Sequence, residues 1–540
     1  MTTATTSAPP APHRSLLRRA LTPGGIHYLA LAIAAVGYAV VSTRGWFFFD
    51  DFAFIVPSQQ GDIWMPHVGH WSTVPFALFL VLRAIFGINS YLPFAIPVIV
   101  ACLAFAHLVW RFMLRVGVAP ALATAFSLLL IFFGAGSENI LWAFQVGFVG
   151  AMALVMGVIL VLLRSQLRAR DVVLIVALSI VALASSGTSL PLLAVAALIA
   201  WQRHGFRRAV ALFAGPAVVY AAWFLLQGRL SPPSGRASGV AQLLTAVPQY
   251  ALSMLTDGFG RAFPVAVLGP ILFSAVGIWA VLSYRGASWR HRPAYLLFLA
   301  APLFALFTAY SRVNLGMVTA TSSRYLYFAI SMVIPLLALG MTELTQRFSL
   351  RVGAVTALVG LLVLYNFGGL VSTINERQVR SDSARERFSA SLALADQYPG
   401  VGSSVRPAAH WAPDATLGDI EDFATSGEFT PGRYDVAAAL SVRAVFGLRS
   451  DAETAPTSES ACGIFPESSE APLAGDEASV RVPQDGSVTV SLAKGSAVGD
   501  PISLPVTAGW NQIHLTGPTV AGSELVIVST TSSITVCPPD

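Results

Sequence analysis

Long apolar runs recur through the first two thirds of this chain, and they constrain its fold more than any other feature. A helix needs roughly 20 residues to cross about 30 Å of hydrocarbon. The runs that approach this length are 26–43, 91–113, 119–135, 146–163, 172–187, 189–201, 209–227, 263–283, 293–310, 325–342 and 352–371. Since 55% of the 540 residues are hydrophobic and only 11% are charged, the chain is predicted to be a polytopic α-helical membrane protein with about 11 transmembrane helices.

A shorter apolar run, 74–87, decides the predicted topology. It begins with Pro75 and contains Arg83, so we predict that it lies in the membrane interface and does not cross. Every short loop then assigned to the inside is basic, as the positive-inside rule requires. The arginines of these loops are Arg111, Arg115, Arg164, Arg168, Arg170, Arg203, Arg207, Arg208, Arg285, Arg290, Arg292, Arg347 and Arg351. The prediction is a plasma-membrane protein with a cytoplasmic tail, 1–25, and an extracytoplasmic C-terminus.

The net charge of +5 has the same explanation. The arginines stand singly or in small groups between apolar runs and form no continuous basic face, so membrane topology accounts for them and a nucleic-acid partner is not predicted.

The last third of the chain has a different composition. A charged segment, 373–397, is predicted to be a helical linker, and 398–540 is rich in Ser, Thr, Gly, Pro and Val. Short runs of β-branched residues between Gly, Pro and Asp predict an extracytoplasmic β-rich domain. Cys102 lies in an apolar run, whereas Cys462 and Cys537 both fall in this domain. These two predict one disulfide and an oxidising compartment, with two unpaired thiols as the alternative.

Two adjacent carboxylates, Asp50 and Asp51, stand among phenylalanines just after the first apolar run. A carboxylate near lipid is costly to desolvate, so such residues usually line a protein or water cavity and mark a functional site. Further polar side chains are assigned to the same outer side. They are His67, His70, Glu138, Asn139, Arg312, Arg324 and Tyr325. Together they predict an outer cavity lined by acids, imidazoles and arginines.

These side chains suit the transfer of a sugar from a lipid-linked phosphate. A carboxylate would take the proton of an acceptor hydroxyl as it attacks the anomeric carbon, and an arginine would hold the departing phosphate. A lipid-carried donor reaches such a site from the bilayer itself, so no nucleotide-binding loop is needed, and the sequence contains no P-loop or Gly-rich dinucleotide turn.

At these positions the sequence resembles the GT-C superfamily of polyprenyl-phosphate-sugar glycosyltransferases. This superfamily includes protein O-mannosyltransferases, lipid A aminoarabinose transferases and actinobacterial arabinofuranosyl- and mannosyltransferases. The resemblance covers roughly 26–372, with a first outer loop at 44–90. The residues that carry it are the acidic pair Asp50 and Asp51, the stretch 67–87, the helix end Arg111 to Arg115, and Arg324 with Tyr325.

The resemblance implies a GT-C-like fold and an inverting transferase whose general base is a first-loop aspartate. The acceptor would be an extracytoplasmic cell-envelope glycan, lipid or protein. The β-rich domain looks like those of actinobacterial members, where it can bind carbohydrate, and the nearly lysine-free composition is similar to that of a high-GC actinobacterium. The chain reads His-Val-Gly-His at 67–70, where O-mannosyltransferases commonly have His-Pro-Pro, so the acceptor is not carried over.

The acidic pair and the histidines have alternative interpretations. Asp50 and Asp51 could cap an outer helix or pair with Arg44, and adjacent side chains diverge, so both are not expected to face one atom. His67 and His70 could hold Mg²⁺ or Mn²⁺ together with Asp51, hydrogen-bond the substrate, or serve the structure, and the Pro and Gly beside them favour a loop.

Alternatives also exist for the other candidates and for the function. Glu138 could contact the acceptor or cap a helix, and Arg324 could bind the donor phosphate or lipid headgroups. The alternative functions are a transporter or flippase of polyprenyl-linked glycan and a non-catalytic membrane protein that binds cell-envelope glycan. A transporter would show internal repeats or broken helices with charges at mid-membrane, and here the charges lie at the outer ends.

Overall fold

A computed structural model describes residues 21–56, 58, 61–231, 235–348, 351–453, 462–518, 521–529 and 532–538. The chain divides into two compact units. The first contains the described residues of Met1–Thr43, Asp62–Leu78 and Leu92–Glu376, and the second contains those of Arg44–Gly61, Phe79–Tyr91 and Arg377–Asp540. The first outer loop therefore contributes two segments to the unit that also contains the C-terminal region.

Each predicted apolar run contains helix, and further helices lie between the runs and in the C-terminal region. In chain order they are α1 Pro23–Ser42, α2 Phe52–Ile55, α3 Thr73–Phe86, α4 Leu92–Val116, α5 Pro120–Ile131, α6 Glu138–Leu141, α7 Val146–Leu162, α8 Ala169–Leu183, α9 Ser189–His204, α10 Phe206–Trp223, α11 Val240–Leu244, α12 Ala246–Gly260, α13 Leu268–Ser283, α14 Arg292–Phe298, α15 Ala300–Arg312, α16 Ser323–Arg347, α17 Val352–Leu394, α18 Leu417–Thr425 and α19 Val436–Gly447. Helix α17 continues the last apolar run through the predicted linker without a break.

Eight helical stretches of the described chain are long and apolar enough to cross a membrane, by length and composition. They are Pro23–Ser42, Leu92–Val116, Ala143–Leu162, Phe206–Gly228, Leu268–Gly286, Arg292–Leu315, Ser323–Arg347 and Val352–Gln397. The prediction of a multi-pass α-helical membrane protein is confirmed. The runs 119–135, 172–187 and 189–201 form helices α5, α8 and α9 of only 12, 15 and 16 residues, so the count of eleven crossings stays a prediction.

Helix α16 is the central helix of the first unit. Its membrane-length window is 83% buried, the largest fraction among the eight, because it packs against α4, α5, α12, α14 and α15. An apolar sequence can be enclosed on every side in this way. Arg324 and Tyr325 lie in its first turn, so the central packing of α16 fixes where these two candidate residues stand.

A glycine turn, Gly134–Gly136, leads from α5 to the short helix α6. A Cβ atom on Gly134 would lie 2.1 Å from the carbonyl oxygen of Asn366, so the turn can approach α17 this closely only without a side chain. The Asn366 amide nitrogen donates to the Ala262 carbonyl at 3.0 Å. The close contact between the glycine turn and α17 positions Glu138 and Asn139, which follow the turn.

The second unit contains a β-sandwich, as predicted for the C-terminal region. Its strands are β1 Leu448–Ala452, β2 Gly463–Phe465, β3 Glu470–Ala474, β4 Glu477–Val482, β5 Gly486–Lys494, β6 Ala497–Val498, β7 Ile502–Val506, β8 Gly509–Leu515, β9 Glu524–Ser529 and β10 Ile534–Cys537. One antiparallel sheet has the order β1-β8-β4-β10-β2, and in the other β9 lies between β3 and β5, with β6 and β7 both paired to β5.

Alternating apolar residues build the core of the sandwich. In β5 the side chains of Val488, Val490 and Leu492 are buried while the residues between them are more exposed, which is the period of a half-buried strand. The predicted disulfide between Cys462 and Cys537 is present and joins the start of β2 to the end of β10.

Two segments of the first outer loop pack on the C-terminal region within the second unit. Trp46 is buried, its ring lies 5.2 Å from that of Phe388 and 5.5 Å from that of Phe429, and its indole N–H donates to the Ile88 carbonyl at 2.8 Å. The Ser58 hydroxyl and backbone N–H both donate to the Asp419 carboxylate, at 2.6 and 2.7 Å. Residues far apart in sequence thus pack and hydrogen-bond together within the second unit.

Candidate active site

The acidic pair lies in a single 3-10 turn, Phe49–Asp51, that leads into α2. The Asp51 side chain is fully buried, and its Oδ2 accepts hydrogen bonds from the Phe48 backbone N–H at 3.3 Å and from the Tyr91 hydroxyl at 3.5 Å. Asp50 keeps partial exposure. Adjacent residues of the turn therefore differ in environment: the Asp51 carboxylate closes the turn and is buried, whereas Asp50, which precedes it, is partly exposed.

The backbone of this turn is strained at Phe49. Its φ angle is +53°, a left-handed conformation that costs a non-glycine residue roughly 1–2 kcal/mol. The Phe49 N–H donates to the Trp411 carbonyl at 2.6 Å, and this hydrogen bond holds the residue immediately before Asp50. Strained backbone of this kind persists where the surroundings over-determine it, and it is concentrated at functional sites.

Arg377 completes the support of the turn. Its guanidinium donates to the Tyr91 hydroxyl at 2.6 Å and lies 4.7 Å from the centroid of the Phe48 ring. Arg377, Tyr91 and Asp51 thus form a hydrogen-bonded chain in the second unit. Neither Arg377 nor Tyr91 is predicted from the sequence, because Arg377 lies in a charged segment and Tyr91 opens an apolar run without any local signal.

In the first unit, His67 and His70 close a two-residue backbone turn. The His67 N–H donates to the His70 carbonyl at 3.0 Å, and the His70 N–H donates to the His67 carbonyl at 2.9 Å. Val68 and Gly69 between them have φ angles of +48° and +80°, the values expected of a tight hairpin turn. The segment is a loop, in agreement with the expectation from its Pro and Gly.

Both imidazoles are held in the neutral form. Burial, and then the charge of Arg312, lower the pKa of His67 to about 4. Burial lowers the pKa of His70 to about 3, with further contributions from Arg312, His67 and Arg324. The Arg312 guanidinium donates to the Val68 carbonyl at 3.4 Å, so it stands directly beside the turn. Neutral imidazoles can donate and accept hydrogen bonds without adding charge to the two arginines.

A close approach between His70 and Gly187 fixes the other side of the turn. A Cβ atom on Gly187 would lie 2.7 Å from Nδ1 of His70, closer than real Cβ contacts allow, so a side chain there would displace the imidazole. Gly187 was not singled out from the sequence. Its only signal is the polar stretch Ser-Ser-Gly-Thr-Ser at 185–189 between two apolar runs.

The start of α16 meets α6 at a second polar group. The Arg324 Nε lies 4.0 Å from Oε2 of Glu138, and the guanidinium stands 5.4 Å from the centroid of the Tyr325 ring. The Asn139 side-chain amide donates to the Arg324 carbonyl at 2.9 Å, and the Ser323 hydroxyl accepts from the Glu138 backbone N–H at 3.3 Å. Glu138 is thereby fixed at the first residue of α6.

Two buried acceptors of this group lack hydrogen bonds within the described part of the chain. They are Oε2 of Glu138 and Oδ1 of Asn139. A buried acceptor without a donor is costly, and native structures retain such atoms mainly where a ligand or water can supply the donor.

The candidate residues are thus distributed over the two units. The first unit contains His67, His70, Glu138, Asn139, Arg312, Arg324 and Tyr325. The second contains Asp50 and Asp51.

A metal site was one interpretation of Asp51, His67 and His70. Among the residues that the structure describes, no group of three or more His, Cys, Asp or Glu side chains is arranged to hold a metal ion.

This chain is distantly similar in fold to a solved structure. The crystal structure of ArnT from Cupriavidus metallidurans bound to undecaprenyl phosphate matches with a TM-score of 0.45 and 15% sequence identity, over 76% of this chain and 90% of that chain. No family model matches the chain, and no curated protein matches it.

Proposed function

We propose that this protein is a membrane glycosyltransferase that moves a sugar from a polyprenyl-phosphate donor to a cell-envelope glycan, lipid or protein at the outer face of the plasma membrane. The observation that carries the proposal is the acidic turn, in which Asp51 is buried and hydrogen-bonded while Asp50 keeps partial exposure. A transferase of this type needs one carboxylate that can meet an acceptor hydroxyl, and the partial exposure of Asp50 supports that role.

The proposed reaction is a single displacement at the anomeric carbon. The acceptor hydroxyl oxygen attacks this carbon, its proton passes to the Asp50 carboxylate, and the bond from the carbon to the phosphate oxygen breaks. Polyprenyl phosphate leaves with the bonding electron pair, and the configuration at the anomeric carbon inverts. Asp51 acts on the turn and not on the substrate in this scheme, because its carboxylate is committed to Phe48 and Tyr91.

Residues of the first unit have the character needed for the donor. Arg312 and Arg324 are cations in half-buried surroundings, where hydrogen bonds to phosphate oxygens are stronger than in water. The neutral imidazoles of His67 and His70 leave the positive charge of the arginines for the phosphate. Glu138 and Asn139 offer acceptors to sugar hydroxyls, and Tyr325 an aromatic face beside Arg324.

The proposal is tested with the full-length protein in lipid vesicles and a panel of radiolabelled polyprenyl-phosphate pentoses and hexoses, with cell-envelope extract as acceptor. Asp50→Asn preserves the shape of the side chain and removes the base, so we expect the rate of transfer to fall by at least about 100-fold. Asp51→Asn should reduce the rate less and lower the unfolding temperature. Asp422→Asn, at an exposed carboxylate of the same unit, is the matched control.

Undiminished transfer by Asp50→Asn would remove the assigned base. Movement of the labelled lipid across the vesicle membrane without sugar transfer would instead support a flippase.

A further inference from the structure

The C-terminal β-sandwich is connected to the acidic turn through Trp411. The Trp411 indole N–H donates to Oδ2 of Asp500 at 3.0 Å, and Asp500 lies between strands β6 and β7 of the sandwich. The carbonyl of the same Trp411 accepts from the Phe49 N–H at 2.6 Å. One residue therefore hydrogen-bonds to the sandwich with its side chain and to the residue before Asp50 with its backbone.

Asp500 is itself held firmly. Its carboxylate forms an ion pair with Arg387, whose side chain is 6% exposed, and the second Arg387 bond, from Nη2 to Oδ1, is 2.7 Å long. The Asp500 backbone N–H donates to the Ser441 hydroxyl at 2.8 Å. The Arg387 guanidinium also lies 5.3 Å from the centroid of the Trp411 ring. Charge-assisted, bidentate pairs of this kind define geometry as well as energy, so Trp411 has little freedom to shift.

The opposite side of the turn has an equivalent support. Arg377 donates to the Tyr91 hydroxyl, and that hydroxyl donates to the Asp51 carboxylate. Arg377 belongs to α17, the long helix that leads into the C-terminal region. Trp411 thus holds the residue before Asp50, and the Arg377–Tyr91 pair holds the residue after it.

We propose that the C-terminal region positions Asp50, with Trp411, Tyr91 and Arg377 as positioning residues, in addition to any contact of the sandwich with glycan. This inference rests on the proposed role of Asp50 as the base. The left-handed backbone conformation of Phe49 gives this inference a physical reason. A strained φ relaxes unless it is held, and relaxation at Phe49 would rotate the backbone that carries Asp50.

The first test uses Trp411→Phe in the full chain. The variant keeps an aromatic ring but removes the N–H that binds Asp500. We expect kcat to fall about 10-fold at an unchanged KM for the polyprenyl-phosphate sugar, because small displacements of a catalytic group reduce the rate of the chemical step. Trp510→Phe is the matched control, since Trp510 is a half-buried tryptophan of strand β8 in the same unit.

Tyr91→Phe tests the other support in the same way, with Tyr398→Phe as its control. Both tyrosines are buried, and both hydroxyls accept a hydrogen bond from an arginine, Tyr91 from Arg377 and Tyr398 from Arg443. We expect Tyr91→Phe to lower kcat and Tyr398→Phe to leave it unchanged.

A double variant separates positioning from loss of folded protein. If Trp411 acts through Asp50, Trp411→Phe should cost nothing further in an Asp50→Asn background, because the residual rate no longer depends on where that side chain stands. A purely structural role would lower the residual rate by the same factor as in the wild type, and that result would overturn the inference. Equal rates for Trp411→Phe and Trp510→Phe would overturn it too. Full activity of Asp50→Asn would instead refute the assigned base, a distinguishable outcome.

Discussion

The stability of this protein should fall steeply in mild acid because of two histidines, His67 and His70. Burial, reinforced by Arg312, lowers their folded-state pKa values to about 4 and about 3, from 6.5 in the unfolded chain. The unfolded chain therefore binds protons more readily than the folded protein. The contribution of both residues to stability is complete above pH 6.5 and is lost progressively as the pH falls from 6.5 towards the folded-state values.

The size of the effect follows from the two shifts. For each ring, the difference between the folded and unfolded pKa values corresponds to about 2 kcal/mol of lost stability on going from pH 7.5 to pH 5. Both residues keep partial exposure, and water screens part of the interaction with the arginines. For the pair together, a total of about 2 kcal/mol is therefore the expected value.

The assay is the free energy of unfolding of the full-length protein in mixed micelles, measured by denaturation at several pH values between about 5 and 7.5. A His67→Gln/His70→Gln double variant removes both titrating groups and should show a flatter dependence on pH than the wild type. His410→Gln, at an exposed histidine of the other unit, is the control for loss of an imidazole. Parallel curves for the wild type and the double variant would refute the reasoning.

Two further predictions concern the second unit. Arg83 binds Glu428 through two hydrogen bonds of 2.6 and 3.0 Å and also donates to the Ile55 carbonyl at 2.8 Å, so Arg83→Met should lower the free energy of unfolding by about 2–3 kcal/mol. An Arg83→Met/Glu428→Gln variant should recover part of this loss, and equal losses would argue against the pair. Joint replacement of Cys462 and Cys537 by Ala removes a disulfide between cysteines 75 residues apart, and in the chain-entropy model it should lower the free energy of unfolding by about 4 kcal/mol. The loss should be detected as faster proteolysis of the sandwich, and unchanged proteolysis would contradict the prediction.

The fold was accessible from sequence where its determinants are local. A membrane-crossing helix is specified by its own length and hydropathy, so runs such as 91–113 and 325–342 coincide with helices Leu92–Val116 and Ser323–Arg347. The disulfide required only a count of cysteines in one domain. Helix Ala246–Gly260 was missed because it contains Pro248, Asp257 and Gly258 among its apolar residues and no run in it reaches the length of a membrane span.

The association of the first outer loop with the C-terminal region could not be read from the sequence. The pair Arg83 and Glu428 is separated by 345 residues, and Ser58 and Asp419 by 361. The local sequence around either partner does not indicate which residue the other partner is. Such contacts arise only when the chain between them folds, so a prediction based on runs and spacing assigns the loop and the tail to separate domains.

The acidic pair shows the same limit of sequence-based prediction for two adjacent side chains. Its composition identified Asp50 and Asp51 as candidates, because adjacent carboxylates among phenylalanines are costly near lipid. The environment of each carboxylate depends on distant partners: Asp51 accepts a hydrogen bond from Tyr91, which in turn accepts one from Arg377. A buried carboxylate that already accepts two hydrogen bonds is a poor base for a second molecule. The hydrogen bonds that Asp51 accepts support the proposal that Asp50 is the base and that the C-terminal region acts through the backbone that it holds.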